Sequence, residues 1–137
     1  MYEHVLVPVD GSDGGSRAVD FAVNIAKQYD SELYAIFVVD RRQYGEPALS
    51  SVELMIDDLV DYGQDLLKEI RERAETEKIS YESRCSHGIP EEEILDYAED
   101  IDADLIVMGY QGQTHVKRIG STVDHVLRDT DRSVMAV

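Results

Sequence analysis

Four residues near the carboxyl end of the chain have the types and spacing of a phosphate-binding loop. Gly109 and Gly112 follow the short apolar run 105–108, and Gly120 and Ser121 precede a segment with helical periodicity. Glycines let backbone N–H groups approach phosphate oxygens, and a helix N-terminus offers unpaired N–H groups with partial positive charge. We therefore predict a site for a nucleotide or another phosphorylated small molecule. The alternative is that these glycines only end a strand and start turns, as most glycines do.

Ser121 and Thr122 open the predicted helix and have two compatible interpretations. Ser121 followed three residues later by Asp124 is typical of a helix-capping arrangement, which explains the serine without any ligand. Capping and phosphate binding use the same helix end, so we expect the Ser121 hydroxyl to be able to turn toward a phosphate oxygen when a ligand is present.

Other polar residues fall near the same predicted edge. Asp10 follows the first predicted strand. It is predicted either to contact a base, a ribose or a phosphate-bound Mg²⁺, or to be only the first residue of an Asp-Gly turn. Val38 ends the second strand and is predicted as core, although its backbone can also contact an adenine edge. His115, Lys117 and Arg118 form a small basic patch between the glycines, either facing phosphate or solvated.

Motifs of several catalytic classes are missing from the sequence. No Gly-Lys-[Ser/Thr] is present, which excludes a P-loop NTPase, and no Gly-x-Ser-x-Gly nucleophile elbow occurs. The four histidines lack the spacing of a metal-ligand pair. No paired nucleophile and base stands out, so catalysis is uncertain and binding without catalysis is favoured. A weak ATPase that uses Asp10 to place Mg²⁺ stays open.

Composition restricts the partners and the compartment. The 29 acidic and 13 basic residues give a net charge of −16, which argues against nucleic acid and anionic membrane surfaces. This acidity either keeps the surface solvated or reflects adaptation to high salt. The lone Cys85 fits a reducing compartment, and the apolar run Leu33–Val39 is far too short to span a bilayer. We read no signal peptide and expect a cytoplasmic protein.

Strand and helix patterns alternate along the chain and must position these residues. We predict a single domain over 1–137, in which a parallel sheet is covered by helices on both faces. A capping box, Ser50 to Glu53, is predicted to open the longest helix, and Pro90 to open a short acidic one. The predicted strands are His4–Val9, Glu32–Val39, Ile79–Ser86, Asp104–Met108 and Ser133–Val137, the third of which is more polar and therefore near an edge.

In such open sheets a ligand binds beyond the carboxyl ends of the strands, where the strand order reverses. For a flavodoxin-like order that point lies between the first and fourth strands. Those two strands end in Pro8-Val9-Asp10 and in the segment 108–112. The expected topology and the glycine spacing thus predict the same place independently.

Several segments together resemble the universal stress protein family, over nearly the whole chain. The opening Val5-Leu-Val-Pro-Val-Asp-Gly-Ser12 is similar to the family's first strand and turn, and Gly88-Ile-Pro90 resembles its third crossover. Asp104-Leu-Ile-Val-Met-Gly109, with Gly120-Ser121 and Val126-Leu-Arg128, resembles its signature region. The resemblance implies a flavodoxin-like three-layer sandwich with strand order 3-2-1-4-5. It also implies a homodimer, often paired through the last strand, here Val134–Val137, which as an apolar edge is a template for pairing.

The resemblance also implies an ATP site and a role in stress response. The ATP-binding branch of the family carries Gly-x2-Gly-x9-Gly-[Ser/Thr]. On that branch adenine and ribose would be surrounded by Pro8, Val9, Asp10 and Val38, and ribose and phosphates would be held by Met108, Gly109, Gly112, Gly120, Ser121 and Thr122. Here seven residues, not nine, separate Gly112 from Gly120. Either the shorter loop tightens and still binds ATP, or the chain belongs to the branch of dimeric interaction proteins that lack ATP binding.

Overall fold

The computed structural model describes residues 2–40, 49–110 and 120–137. Strands and helices alternate along these residues, as the periodicity of the sequence predicts. The elements are β1 His4–Pro8, α1 Asp13–Tyr29, β2 Glu32–Val39, α2 Leu49–Thr76, β3 Tyr81–His87, α3 Pro90–Asp100, β4 Leu105–Met108, α4 Ser121–Asp129 and β5 Ser133–Ala136.

The five strands form one parallel sheet in the order β3-β2-β1-β4-β5. The predicted flavodoxin-like order, the single domain and the edge position of the polar third strand are thereby confirmed. Val5 is in register with Leu33 of β2 on one side and with Leu105 of β4 on the other. Because the chain moves outward from β1 to β3 and then returns to start β4, the strand order reverses between β1 and β4.

Two apolar cores cover the two faces of the sheet. Central strands of a parallel sheet carry apolar side chains on both faces, so successive residues enter opposite cores. The α1/α2 core joins Val5 and Val7 of β1, and Val9 just after it, to buried residues of α1 and α2. The α3/α4 core joins Leu6 and the alternate residues of β2 and β4 to Ile94, Tyr97, Ala98, Val123 and Val126.

Several element boundaries follow from local backbone chemistry. α1 ends at Asp30, whose φ of 55° lies in the left-handed region that aspartate tolerates. Pro90 is the first residue of α3, as predicted. The third strand begins at Tyr81 rather than Ile79, because the Ile79 N–H still donates to the Ala74 carbonyl at 2.8 Å. Helix α2 begins at Leu49, one residue before the predicted capping residue Ser50.

Across the described ranges, every helix falls short of the length or apolarity that a membrane crossing requires.

Candidate functional site

An apolar wall stands at the carboxyl edge of the sheet, where β1, β2 and β4 end. Met108 is 5% exposed and belongs to the α3/α4 core, and the half-buried Val38 packs against the same core. Pro8 follows Leu6 by two residues and so faces the same side of the sheet. Pro8 and Val38, predicted to surround adenine and ribose, therefore share one face with Met108, predicted to lie at the ribose and phosphates.

Val9 does not join that wall. Its side chain is buried in the α1/α2 core, on the opposite face, and its N–H donates to the Ile36 carbonyl at 2.9 Å. The strand alternation that places Pro8 on one face necessarily places Val9 on the other. Only the backbone of Val9 reaches the predicted site.

The turn between β1 and α1 satisfies its own polar groups. Asp10 Oδ1 accepts from the Ser12 N–H at 2.9 Å and from the Ser12 hydroxyl at 2.5 Å. Ser12 is the N-cap of α1, and its hydroxyl oxygen accepts from the Gly15 N–H at 3.1 Å. Gly11 between them has φ +84°, which glycine adopts without strain. The first turn of α1 is therefore capped internally.

The N-terminus of α4 has a different arrangement. Its N-cap is Gly120, at φ −70° and ψ 155°, and no side-chain hydrogen bond caps this helix. The prediction of Ser121 as the capping residue is wrong, because Ser121 is already the first helical residue. Its carbonyl lies 2.7 Å from His125 Nδ1. Since glycine has no side-chain oxygen, the first N–H groups of α4 lack the internal acceptor that Ser12 supplies to α1.

Charge distinguishes α4 from α3, whose N-terminus also lacks a side-chain cap. The first turn of α3 carries Glu91, Glu92 and Glu93, which would repel an anion. The acidic residue in the first turn of α4 is Asp124, which pairs with Arg128 at 3.2 Å. Among α1, α3 and α4, helix α4 is thus the one whose N-terminus has no side-chain cap and whose first-turn carboxylate is paired with a cation.

Two backbone hydrogen bonds fix the position of Gly120. The Gly120 N–H donates to the Tyr110 carbonyl at 2.9 Å, and the Tyr110 N–H donates to the Val137 carbonyl at 2.6 Å. The ends of segment 111–119 are therefore joined by a hydrogen bond. No sequence signal marks Tyr110 for this role, because the bond uses backbone atoms. The predicted Gly112 and the basic patch at 115, 117 and 118 lie outside the described residues.

Gly109 lies in tight contact with the first turn of α1. A Cβ at Gly109 would lie 2.5 Å from the carbonyl carbon of Gly14 and 2.8 Å from its oxygen. For the added Cβ, such distances are far below ordinary van der Waals contact, and the atoms that it would meet are backbone atoms. Gly109 is thus required for close approach between β4 and α1, independently of any ligand.

The described residues do not form an obvious catalytic or metal-binding centre. Within residues 2–40, 49–110 and 120–137, no group of three or more His, Cys, Asp or Glu side chains is placed to hold a metal ion. Burial raises the pKa of Tyr81 and of Tyr97 to about 12 and also raises the pKa of Cys85. Tyr81 and Cys85 lie on β3, and Tyr97 lies on α3.

Comparisons with known proteins agree with this geometry. The sequence model described as the universal stress protein family matches residues 1–137. Universal stress protein MJ0531 of Methanocaldococcus jannaschii is 39% identical over 140 residues, covering 100% of this chain and 82% of that protein. The solved structure of the hypothetical protein MJ0577 has a TM-score of 0.93 at 25% identity, with 100% and 96% coverage. A universal stress protein solved in complex with cAMP has a TM-score of 0.70 at 27% identity, with 99% and 96% coverage.

Proposed function

The chain belongs to the universal stress protein family, and from that premise we propose that it binds an adenine nucleotide, ATP being the expected ligand, between β1 and β4. The bound nucleotide would bias a dimer that acts in stress response. A relative with this fold has been solved with cAMP, which supports an adenine ligand. We place this activity in the cytoplasm, in agreement with the lone Cys85.

The base and the phosphates would occupy two parts of the edge. Adenine would lie against the wall of Pro8, Val38 and Met108, with Asp10 and the Val9 backbone supplying polar contacts to base or ribose. The phosphates would approach the start of α4, at Gly120, Ser121 and Thr122, with Gly109 and Gly112 at the ribose and the loop. If Mg²⁺ accompanies ATP, it would neutralise phosphate charge, and Asp10, which follows β1 at the same edge of the sheet, would contact it.

The observation that carries the proposal is the uncapped N-terminus of α4. Helix N-termini bind anions through free N–H groups and through the partial positive charge of the helix dipole. Gly120 leaves these groups without an internal side-chain acceptor. In a chain with a net charge of −16, such an end offers an anion a local attraction.

The short loop does not argue against this site. The hydrogen bond from the Gly120 N–H to the Tyr110 carbonyl holds both ends of segment 111–119 together. Because Tyr110 and Gly120 are already in contact, the segment between them does not have to span a gap, and the start of α4 stays in place when that segment is shorter. The helix contribution to phosphate binding is therefore independent of the loop length.

Dimerisation would use the edge strand β5. The Val137 N–H donates to the Met108 carbonyl, and the Val137 carbonyl accepts from Tyr110, so Val137 faces β4. By alternation, the backbone groups of Val134 and Ala136 point away from the sheet. Met135 and Val137 are partly buried and pack on the α1/α2 core. An open, apolar strand edge of this kind favours pairing with a second copy.

The decisive experiment identifies and then measures the ligand. Protein purified without added nucleotide is denatured, and the released small molecules are separated and weighed by mass spectrometry. Stripped protein is then titrated calorimetrically with ATP, ADP, AMP and, for base specificity, GTP. We expect adenine nucleotides to bind and GTP to bind more weakly. Release of no nucleotide, together with no heat from any adenine nucleotide, would instead indicate an interaction protein without a ligand.

A pair of matched variants tests the helix end. Gly120→Asp adds a carboxylate at the N-cap of α4, and Ile89→Asp adds the same charge at the N-cap of α3. A carboxylate about 4 Å from a phosphate repels it by roughly 4 kcal/mol at an effective dielectric constant of 20. We expect Gly120→Asp to weaken nucleotide binding by at least about tenfold, and Ile89→Asp to leave it unchanged. Equal losses in both variants would contradict the proposed phosphate position.

Hydrolysis is expected to be slow or absent. Asp10 Oδ1 is occupied by the Ser12 backbone and hydroxyl, and the described residues at the edge offer no paired nucleophile and base. ATP turnover that disappears in Asp10→Ala, while binding persists, would show that the chain is a weak ATPase instead.

A further inference from the structure

We infer that Tyr62 of helix α2 is a positioning residue for the turn 10–12, and thus for the nucleotide site. This inference rests on the proposed function for its effect on affinity, although its structural part does not. Tyr62 is 45% exposed, and neither its type nor its spacing distinguishes it in the sequence from the other seven tyrosines.

The contact between Tyr62 and the turn is unusually close. A Cβ at Gly11 would lie 1.9 Å from the Tyr62 hydroxyl oxygen and 2.8 Å from the ring carbon that carries it. Position 11 therefore requires glycine for two reasons. A side chain there would clash with Tyr62, and the φ of +84° would be strained in other residues. The end of the tyrosine ring lies directly against the Gly11 backbone, between Asp10 and Ser12.

The core holds Tyr62 in this place. Its ring contacts the Phe37 ring edge-on, with centroids 6.1 Å apart, and Phe37 is 3% exposed in the α1/α2 core. The next residue, Gly63, packs so tightly that a Cβ there would lie 2.3 Å from Phe37 Cδ1. Since α2 cannot approach β2 more closely or rotate freely at this point, the ring of Tyr62 has a defined position.

A cleft lies beside this contact, on the same side of the turn. It has a volume of about 200 Å³, separates α1 from α2, and is lined by Gly11, Ser12, Gly15 and Ser16 on one side and by Leu66 and Glu69 on the other. Among the described residues, α2 is therefore separated from the start of α1 at Leu66 and Glu69, whereas one turn earlier Tyr62 lies against the turn.

A consequence for the nucleotide site follows from the hydrogen bonds of the turn. Asp10 Oδ1 is oriented by the Ser12 N–H and hydroxyl, and Ser12 in turn caps Gly15. If Gly11 moves, the direction of the Asp10 side chain and the first turn of α1 move with it. Tyr62 acts through Gly11 on Asp10 and does not itself have to touch the nucleotide.

The test compares two tyrosines of equal exposure. Tyr29 is also 45% exposed, but it lies at the other end of α1, where its ring packs edge-on against Tyr2. Tyr62→Ala and Tyr29→Ala are made in the full chain together with Tyr62→Phe, and thermal unfolding establishes that each variant folds. Amide hydrogen exchange of Ser12 and Gly15 is then measured by NMR without nucleotide, and adenine-nucleotide affinity is measured by calorimetry.

We expect the exchange of these two amides to accelerate by at least about tenfold in Tyr62→Ala and to be unchanged in Tyr29→Ala. Adenine-nucleotide affinity should fall roughly tenfold in Tyr62→Ala, while Tyr62→Phe, which keeps the ring, stays within about threefold of wild type on the same reasoning. Unchanged exchange in Tyr62→Ala would overturn the inference. If wild-type protein binds no adenine nucleotide, the proposed function fails, and the exchange measurement still decides the role of Tyr62.

Discussion

Replacing Gly109 with alanine separates a structural role from a ligand-binding role for this glycine. The family resemblance implies that Gly109 contacts ribose or phosphate, whereas the structure places it against the backbone of Gly14. A residue needed only for ligand contact would tolerate alanine in the empty protein. A residue needed for close packing would not, whether or not a nucleotide is bound.

The expected loss of stability follows from the overlap. The new methyl group would lie 2.5 Å from the Gly14 carbonyl carbon, about 1 Å closer than an ordinary carbon–carbon contact. Backbone cannot rotate away as a side chain can, so the first turn of α1 has to shift. Overpacking of this kind costs about 1–3 kcal/mol. We expect the free energy of unfolding to fall by about 2 kcal/mol, a large part of the 5–15 kcal/mol typical of a domain.

The assay is urea unfolding followed by circular dichroism, on protein stripped of nucleotide. Stripping matters because a ligand that binds only the native state adds its own stabilisation. With a denaturant dependence of about 1–3 kcal/mol per molar urea, the unfolding midpoint should decrease by roughly 1 M. In a thermal scan, Tm should decrease by roughly 8 °C.

Gly15→Ala is the matched control for Gly109→Ala. Gly15 is buried in the same first turn of α1, but a Cβ there would meet the Asp10 carboxylate at 3.2 Å, which is a side chain. Alanine favours a helix over glycine by about 1 kcal/mol, which offsets this crowding. We expect Gly15→Ala to be close to neutral. If Gly109→Ala unfolds at the same urea concentration as wild type, the argument from close packing is wrong.

Three further outcomes follow from the structure. Ser12→Ala removes the N-cap of α1 and should cost about 1 kcal/mol in urea unfolding, whereas Ser16→Ala, exposed in the same helix, should cost little. Burial raises the pKa of Tyr97 to about 12, so the native state keeps this proton while the unfolded state loses it near pH 10. The contribution of protonated Tyr97 to the free energy of unfolding is therefore fully present below pH 10 and is lost as the pH rises toward 12. Tyr97→Phe should make the free energy of unfolding depend less on pH in this range. Ala136→Pro removes an outward N–H of β5 and should shift sedimentation from dimer to monomer.

Each of these outcomes has a result that contradicts it. Equal stability of the Ser12→Ala and Ser16→Ala variants would show that the cap contributes nothing measurable. An unchanged alkaline unfolding profile in Tyr97→Phe would mean that this tyrosine does not couple folding to pH. A dimer that survives Ala136→Pro would place the interface away from β5, and monomeric wild-type protein would remove the dimer altogether.

Much of the fold is predictable from local patterns. The consecutive apolar residues Val5, Leu6 and Val7 and the almost continuously apolar second strand predict buried parallel strands, because both faces of such strands are covered. Pro90 predicts the start of α3 because proline lacks the N–H that the first helical turn cannot pair. The strand order itself came from the family resemblance, since local periodicity does not say which strands become neighbours.

Helix starts show where local patterns fail. Ser121 and Asp124 have the spacing of a cap, yet Gly120 is the N-cap of α4. The reason is tertiary, because the Gly120 N–H donates to the Tyr110 carbonyl and this bond fixes which residue adopts the extended conformation before the helix. Sequence spacing alone cannot distinguish a serine at the N-cap from one at the first helical position.

The sequence by itself determined the order and type of the elements and the acidic composition, because these depend on residue types and on their spacing along the chain. The tertiary structure decided that Gly109 packs on Gly14, that Val9 faces away from the site and that Tyr62 lies on Gly11. Those contacts join residues far apart in sequence, and their distances exist only after the helices have docked on the sheet.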